Sequence, residues 1–90
     1  MDIKRIGDAI DQFAEERDWD KFHTPKNLAM ALSVEASELV EIFQWKEGDD
    51  VDDQRAIKAA EEELADIFYY TLRMCQKMDI NLEEAFFKKM

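Results

Sequence analysis

Residues 24–45 read TPKNLAMALSVEASELVEIFQW, and the helix they spell decides the fold. Thr24 is a good N-cap, and Pro25 suits the first helical position, where a missing N–H costs nothing. On a wheel of about 100° per residue with Leu28 at zero, Leu39, Leu32, Phe43 and Ala36 fall at roughly 20° to 80°. Ile42 and Ala31 fall at roughly 320° and 300° and complete an apolar arc. Ser33, Gln44, Ser37 and Glu41 take the opposite side, at roughly 140° to 220°. Two acidic residues violate this division. Glu35 lands at roughly 340°, between Leu28 and Ile42, and Glu38 at roughly 280°, beside Ala31, Val34 and Trp45. Unpaired carboxylates are costly to bury, and like charges one turn apart repel. Three compensations are open: a Lys or Arg from another helix, protonation with raised pKa values, or a hard divalent cation that takes oxygen ligands.

Outward from this helix, the same periodicity marks three more. Ile3, Ile6, Ile10, Phe13 and Ala14 predict a first helix from about Asp2 to Arg17, and Asp18–His23 breaks its period. The second helix should reach about Trp45, with Gly48 and Asp49, Asp50, Asp52 and Asp53 forming the connection. Those aspartates favour the N-terminus of the next helix electrostatically. A third helix from about Val51 to Met78 carries the stripe Ile57, Ala60, Leu64, Ile67, Phe68, Thr71, Cys75 and Met78. Asn81 followed by Glu84 reads as a capping box opening a fourth. That helix, with Leu82, Ala85 and Phe86, has barely two turns and is weak alone.

The third helix supplies a second acidic pair. Glu63 and Asp66 lie one turn apart, Glu63 on the edge of the stripe between Ala60 and Ile67. The later half of this helix is apolar on most sides (Ile67, Phe68, Tyr69, Tyr70, Leu72, Met74), which predicts burial against more than one neighbour, another subunit among them. If helices two and three pack antiparallel, Glu35, Glu38, Glu63 and Asp66 converge on one or more ions. By spacing alone such acidic pairs are also ordinary solvated helix surface, and both readings stand.

Composition sets the frame. Ninety residues predict a single domain over 1–90 that, as a lone monomer, buries only about 60–65% of its unfolded surface. Two glycines and one proline are too few for a turn-rich β fold. The expected fold is therefore all-α: a four-helix bundle-like protomer with two long central helices and shorter terminal ones, completed by oligomerisation. The single cysteine, Cys75, excludes an intramolecular disulfide and a multi-cysteine zinc site. No apolar run reaches the ~20 residues that span a bilayer, and Met1–Arg5 lacks the apolar core of a signal peptide, so a cytoplasmic protein without a membrane partner is expected. A net charge of −10 argues against nucleic-acid polymers as partners. A 47% hydrophobic content argues against disorder.

Taken together, the motifs resemble the MazG-like all-α nucleoside triphosphate pyrophosphohydrolases. Glu35-x-x-Glu38 followed by Glu63-x-x-Asp66 looks like the metal motif of that family. Arg17-Asp18-Trp19, Phe22-His23-x-Pro25-Lys26-Asn27-Leu28, Glu35-Ala36-Ser37-Glu38-Leu39-x-Glu41-x-Phe43-Gln44-Trp45 and Glu63-Leu64-Ala65-Asp66-Ile67 with Tyr70 resemble its dCTP pyrophosphatase-like branch. The resemblance runs through nearly the whole chain. It implies hydrolysis of a (d)NTP to the monophosphate and pyrophosphate, in the housekeeping of nucleotide pools. It also implies Mg²⁺ (with Mn²⁺ as a substitute) on Glu35, Glu38, Glu63 and Asp66, and a homo-oligomer, dimer or tetramer, with active sites between subunits. Glu38 is the candidate catalytic residue, orienting and deprotonating the attacking water.

For the substrate, the resemblance implies that Trp19, Trp45 and Tyr70 line a base pocket, with His23 on phosphate or base. Taken alone, each aromatic residue reads as core or interface before pocket, and His23 equally as a residue fixing the loop before Pro25. Lys26 and Lys46 are candidate phosphate contacts, and Asn27 either a substrate contact or a residue satisfying the first turn of helix two. In the family the chain continues past the position of Met90 into an Asn-x-x-(Lys/Arg)-Tyr-Pro segment that helps hold the triphosphate. Three readings stand for the end at Met90: Lys88 and Lys89 as partial substitutes, a longer reading frame, or a weakly active or inactive helical module of antitoxin or adaptor type. A di-iron bundle does not fit, because such sites use Glu-x-x-His pairs and His23 lies outside both acidic motifs.

Overall fold

Each helix begins where a short polar side chain can hold the free N–H groups of its first turn. In the computed structural model, which describes residues 1–46 and 52–90, the helices are α1 (Ile3–Glu16), α2 (Pro25–Phe43), α3 (Gln54–Met78) and α4 (Leu82–Lys89). Asp2 caps α1 by accepting from Arg5 N at 3.0 Å, and Thr24 caps α2 by accepting from Asn27 N at 3.2 Å. Asp53 caps α3 through Arg55 N and Ala56 N, and Asn81 caps α4 through Glu84 N. The fold is all-α, with no strand among the described residues.

The boundaries depart from the periodicity in three places. The segment after α1 is not merely a break: Asp18 takes a positive φ of 52°, and Asp20–Phe22 form one turn of 3₁₀ helix. A short polar residue tolerates that left-handed conformation, as does Asp79 after α3. Helix α2 ends at Phe43 rather than Trp45, which lies in the turn that follows. Helix α3 starts at Gln54 rather than near Val51, because Asp53 caps it. The expected connection at Gly48, Asp49 and Asp50, like Val51, lies outside the described residues.

Helix α3 is the centre of the molecule. Leu28 and Tyr70 line one cavity, Glu35 meets Glu63, and Lys46 meets Asp53, so α2 and α3 run antiparallel. Helix α1 is antiparallel to α3 as well, with the Gly7 carbonyl on Gln76, Asp11 on Arg73 and Phe13 on Tyr69. The buried apolar residues are Ile10 and Ala14 of α1, Leu28 of α2, and Ala56 and Leu72 of α3. The anticipated α3 stripe is only half covered: Leu64 is 53% and Met78 49% exposed, while burial is deepest at Ala56, Leu72 and Arg73. The cause is that α1 and the 3₁₀ turn close over α3 near residues 69–77, whereas α2 covers a different side.

Much apolar surface stays open. Val34, Val40 and Met30 of α2 are more than half exposed, and so are Phe86 and Phe87 of α4, a helix exposed along its whole length. The radius of gyration is 15.0 Å, against about 12 Å for a compact chain of this length. Among the described residues no helix is long and apolar enough to cross a membrane.

Candidate metal centre

The antiparallel pairing of α2 and α3 brings the two acidic motifs face to face. Ligand oxygens of Glu35, Glu63 and Asp66 lie within 4.8 Å of one another. Glu35 and Glu63 are half-buried and Asp66 is exposed. With all three ionised, Glu35 Oε2 and Glu63 Oε2 are buried without a hydrogen-bond partner. Glu35 is accordingly pushed up to about 7, first by the contact with Glu63, a hydrogen bond that exists only when a proton is shared. Burial and the neighbouring Glu38 and Asp66 push it the same way. For Glu63 the Glu35 contact pulls downward, but burial, Glu38 and Asp66 outweigh it and its value is raised. Glu38, half-buried one turn on from Glu35, thus stands beside the trio and acts on both buried carboxyls.

Of the three compensations, pairing with a basic residue is not used: among the described residues none of these four carboxylates has an ion pair. A proton or a cation remains. The orphaned oxygens and an all-carboxylate donor set fit a hard divalent cation, which takes oxygen ligands in number.

Two cavities share Tyr70, one turn after Asp66 on α3, and the larger includes Asp66 in its lining. The larger, about 550 Å³, opens between α1 and α3, with Ile10, Phe13, Trp19, Tyr69 and Tyr70 on its walls and Asp66 at its edge. The smaller, about 250 Å³, lies between the 3₁₀ turn and α2 and is lined by Trp19, Phe22, His23, Asn27, Leu28, Ala31 and Tyr70. Trp19 and Tyr70 belong to both. Burial, together with the charges of Glu35 and Asp66, raises the pKa of the Tyr70 hydroxyl, which places this ring at the junction of cavity and carboxylates. Trp19 meets Phe13 edge-to-face at 5.4 Å. Asn27 closes the turn before α2 by donating from Nδ2 to the Phe22 carbonyl at 3.0 Å.

The structure thus gathers Glu35, Glu38, Glu63, Asp66 and Tyr70, and next to them Trp19, His23 and Asn27. Trp45, Lys26 and Lys46 line neither cavity. Trp45 is 88% exposed, Lys26 is exposed in the first turn of α2, and Lys46 pairs with Asp53, the cap of α3.

The main residue that sequence reasoning missed is Arg73, only 4% exposed. Its Nε donates to His23 Nδ1 at 2.9 Å, Nη1 to Asp11 at 3.1 Å and Gln76 at 2.9 Å, and Nη2 to Asp20 at 2.8 Å. The available signal was a lone cation between Leu72 and Met74 in the apolar half of the third helix.

The MazG-like family model matches residues 30–90. Over 99% of its length the chain is 40% identical to dCTP pyrophosphatase 1 of Bos taurus and 39% identical to that of Homo sapiens. It covers 53% of each, so the chain spans about half the length of the curated relatives it matches. A crystal structure of a pyrophosphatase from Archaeoglobus fulgidus superposes with a TM-score of 0.89 at 41% identity, over 97% of this chain and 83% of that one. The family model over more than half of the chain, relatives about 40% identical along nearly all of it and the superposing pyrophosphatase fold agree: the chain belongs to the MazG-like family.

Proposed function

We propose that this protein is a Mg²⁺-dependent nucleoside triphosphate pyrophosphohydrolase that cleaves a deoxynucleoside triphosphate to the monophosphate and pyrophosphate. One observation carries the reading: two buried carboxylate oxygens without partners, in a trio within 4.8 Å, on a chain about 40% identical to enzymes named dCTP pyrophosphatase. Glu35, Glu63 and Asp66 would hold the cation, with Glu38 beside them; Mn²⁺ substitutes. When bound, the ion offsets the negative charge of carboxylates and phosphate oxygens as pyrophosphate leaves.

The chain's own groups do the rest. Glu38 accepts the proton of the attacking water, whose oxygen bonds to the α-phosphorus as the bond from that phosphorus to the bridging oxygen breaks. Trp19 and Tyr70 offer aromatic faces to the base, with His23 and Asn27 on the neighbouring wall. Lys26, Lys46 and Trp45 reach the nucleotide only from outside these cavities, as residues at a subunit boundary would. The chain works as a single domain in a homo-oligomer, dimer or tetramer, which covers the exposed Val34, Val40, Phe86 and Phe87. It serves nucleotide-pool housekeeping in the cytoplasm.

The test is a panel of dCTP, dATP, dTTP and dGTP with Mg²⁺, separating pyrophosphate from orthophosphate. Monophosphate and pyrophosphate are expected in equal amounts, and Glu38→Gln should abolish them. Orthophosphate release, or no turnover with any divalent metal, overturns the reading.

A further inference from the structure

Arg73 is a buried cation that takes no part in the acidic cluster, yet it spends its donors on four side chains from three segments. Asp11 belongs to α1, Asp20 to the 3₁₀ turn, and Gln76 to its own helix. The fourth partner, His23, is 8% exposed and closes the loop before α2. A guanidinium N–H can only donate, so the ring nitrogen it meets must present a lone pair. With Nδ1 accepting at 2.9 Å, a neutral imidazole carries its proton on Nε2. Burial, then the charge of Arg73, pull the His23 pKa below its ordinary value; Lys77 pulls the same way and Asp20 opposes. Trp19 and Tyr69 stand edge-to-face against the ring at 6.2 and 6.4 Å and fix its plane.

No hydrogen bond among the described residues uses Nε2, and His23 is part of the wall of the smaller cavity. Among the described residues no Lys or Arg lines that cavity; its other walls are Trp19, Phe22, Leu28, Ala31 and Tyr70, with Asn27 as a further polar residue. Asn27 gives one Nδ2 hydrogen to the Phe22 carbonyl, which leaves its second N–H to donate and Oδ1 to accept. A wall of aromatic and aliphatic groups with a few neutral donors and acceptors and no cation suits a neutral planar ring and not a phosphate. Its 250 Å³ is below the roughly 300 Å³ at which pockets for whole ligands begin, which is the scale of a base and not of an entire nucleotide. Tyr70 joins it to the carboxylates where the phosphates would lie.

We propose that Arg73 is a positioning residue: it holds His23 as the Nε2–H tautomer and thereby presents a neutral hydrogen-bond donor to an acceptor atom of the substrate's base in the smaller cavity. The identity of the ligand rests on the pyrophosphohydrolase reading; the tautomer does not. Each is therefore measured separately, on the full chain. Nitrogen-15 NMR of histidine-labelled protein at neutral pH should show a protonated Nε2 and an unprotonated Nδ1, even if no nucleotide is turned over. The reverse tautomer, or a doubly protonated ring, overturns the proposal without touching the functional reading.

With dCTP and Mg²⁺, Arg73→Met should raise KM about tenfold, the effect of one lost hydrogen bond, with kcat little changed. Binding of 2-deoxyribose 5-triphosphate, which has no base, should not change. His23→Ala should give the same KM, and the double variant no more than either single one. Additive losses, or an equal loss with the baseless triphosphate, show that Arg73 acts only on general structure and sink the proposal. If Arg73→Met does not fold, Arg73→Lys keeps the cation but not the fork; the same KM rise with a mixed-tautomer spectrum is expected there, and an unaltered spectrum with raised KM counts against it.

Discussion

Glu35 concentrates the strain of the whole site. Its carboxyl is raised because the nearest group, Glu63, is another carboxyl, and among the described residues no basic side chain pairs with either. Replacing it with Gln removes a charge that the fold does not compensate while keeping the shape. Glu35→Gln is therefore expected to raise the thermal midpoint of the metal-free protein at pH 8 and to cancel the rise that Mg²⁺ gives the wild type. Pyrophosphate release should fall by more than about 100-fold, since even outer-shell changes at metal sites cost 10–100-fold. Calorimetric scans with EDTA and with Mg²⁺ decide it, and a variant still stabilised by Mg²⁺ would place the ion elsewhere. Leu28 is the counterpart among apolar residues. It is 1% exposed at the floor of the smaller cavity, so Leu28→Ala should cost about 2–5 kcal/mol in urea unfolding.

At the scale of elements, caps and pairing set the register of the site. Thr24 holds the first turn of α2, four turns of which carry Leu28, Glu35 and Glu38 into place. Thr24→Ala should cost about 1 kcal/mol of stability, measured by chemical denaturation, with kcat unaffected. Asp53 does more, because it caps α3 with two backbone N–H groups and also pairs with Lys46 at the end of α2. Its loss, in Asp53→Ala, should therefore exceed that of Thr24→Ala in the same measurement. The caps Thr24 and Asn81, Pro25 and the three-and-four spacing were legible in the sequence because each acts within about one turn, whereas Asp2 and Asp53 emerged as caps only in the structure. The 3₁₀ turn was not legible, since Asp20–Phe22 are held from α3, through Arg73 and Lys77 on Asp20, more than fifty residues away in the chain.

For the whole molecule, pH and association are the observables. A folded-state value of about 7 for Glu35, against 4.5 unperturbed, means that the folded chain binds this proton more tightly than the unfolded one. The resulting stability is complete below about 4.5 and is lost as pH rises through 7. The metal-free protein should thus melt lower at pH 8 than at pH 5.5. Mg²⁺, which needs the ionised carboxyls, should raise the midpoint most at pH 8 and flatten that slope. A midpoint in EDTA that does not fall over this range would contradict the coupled pair. The open shape, with apolar residues exposed on α2, α3 and α4, predicts a mass of at least two chains by light scattering. Val40→Glu, at a position 63% exposed, should shift that mass toward one chain.

The sequence by itself determined the four helices, the caps Thr24 and Asn81 and the misfit of Glu35 and Glu38 on the apolar side of α2, because these follow from periodicity and from backbone groups a turn apart. Only the tertiary structure decided that Glu35, Glu63 and Asp66 meet without a basic partner, and that Trp45, Lys26 and Lys46 lie off the cavity walls. It also decided that Arg73, a lone cation in an apolar helix, reaches His23 fifty residues away. The physical reason is range. Helix propensity and capping are local, whereas charge burial and hydrogen bonding between helices depend on which faces the antiparallel packing of α1 and α2 on α3 brings together.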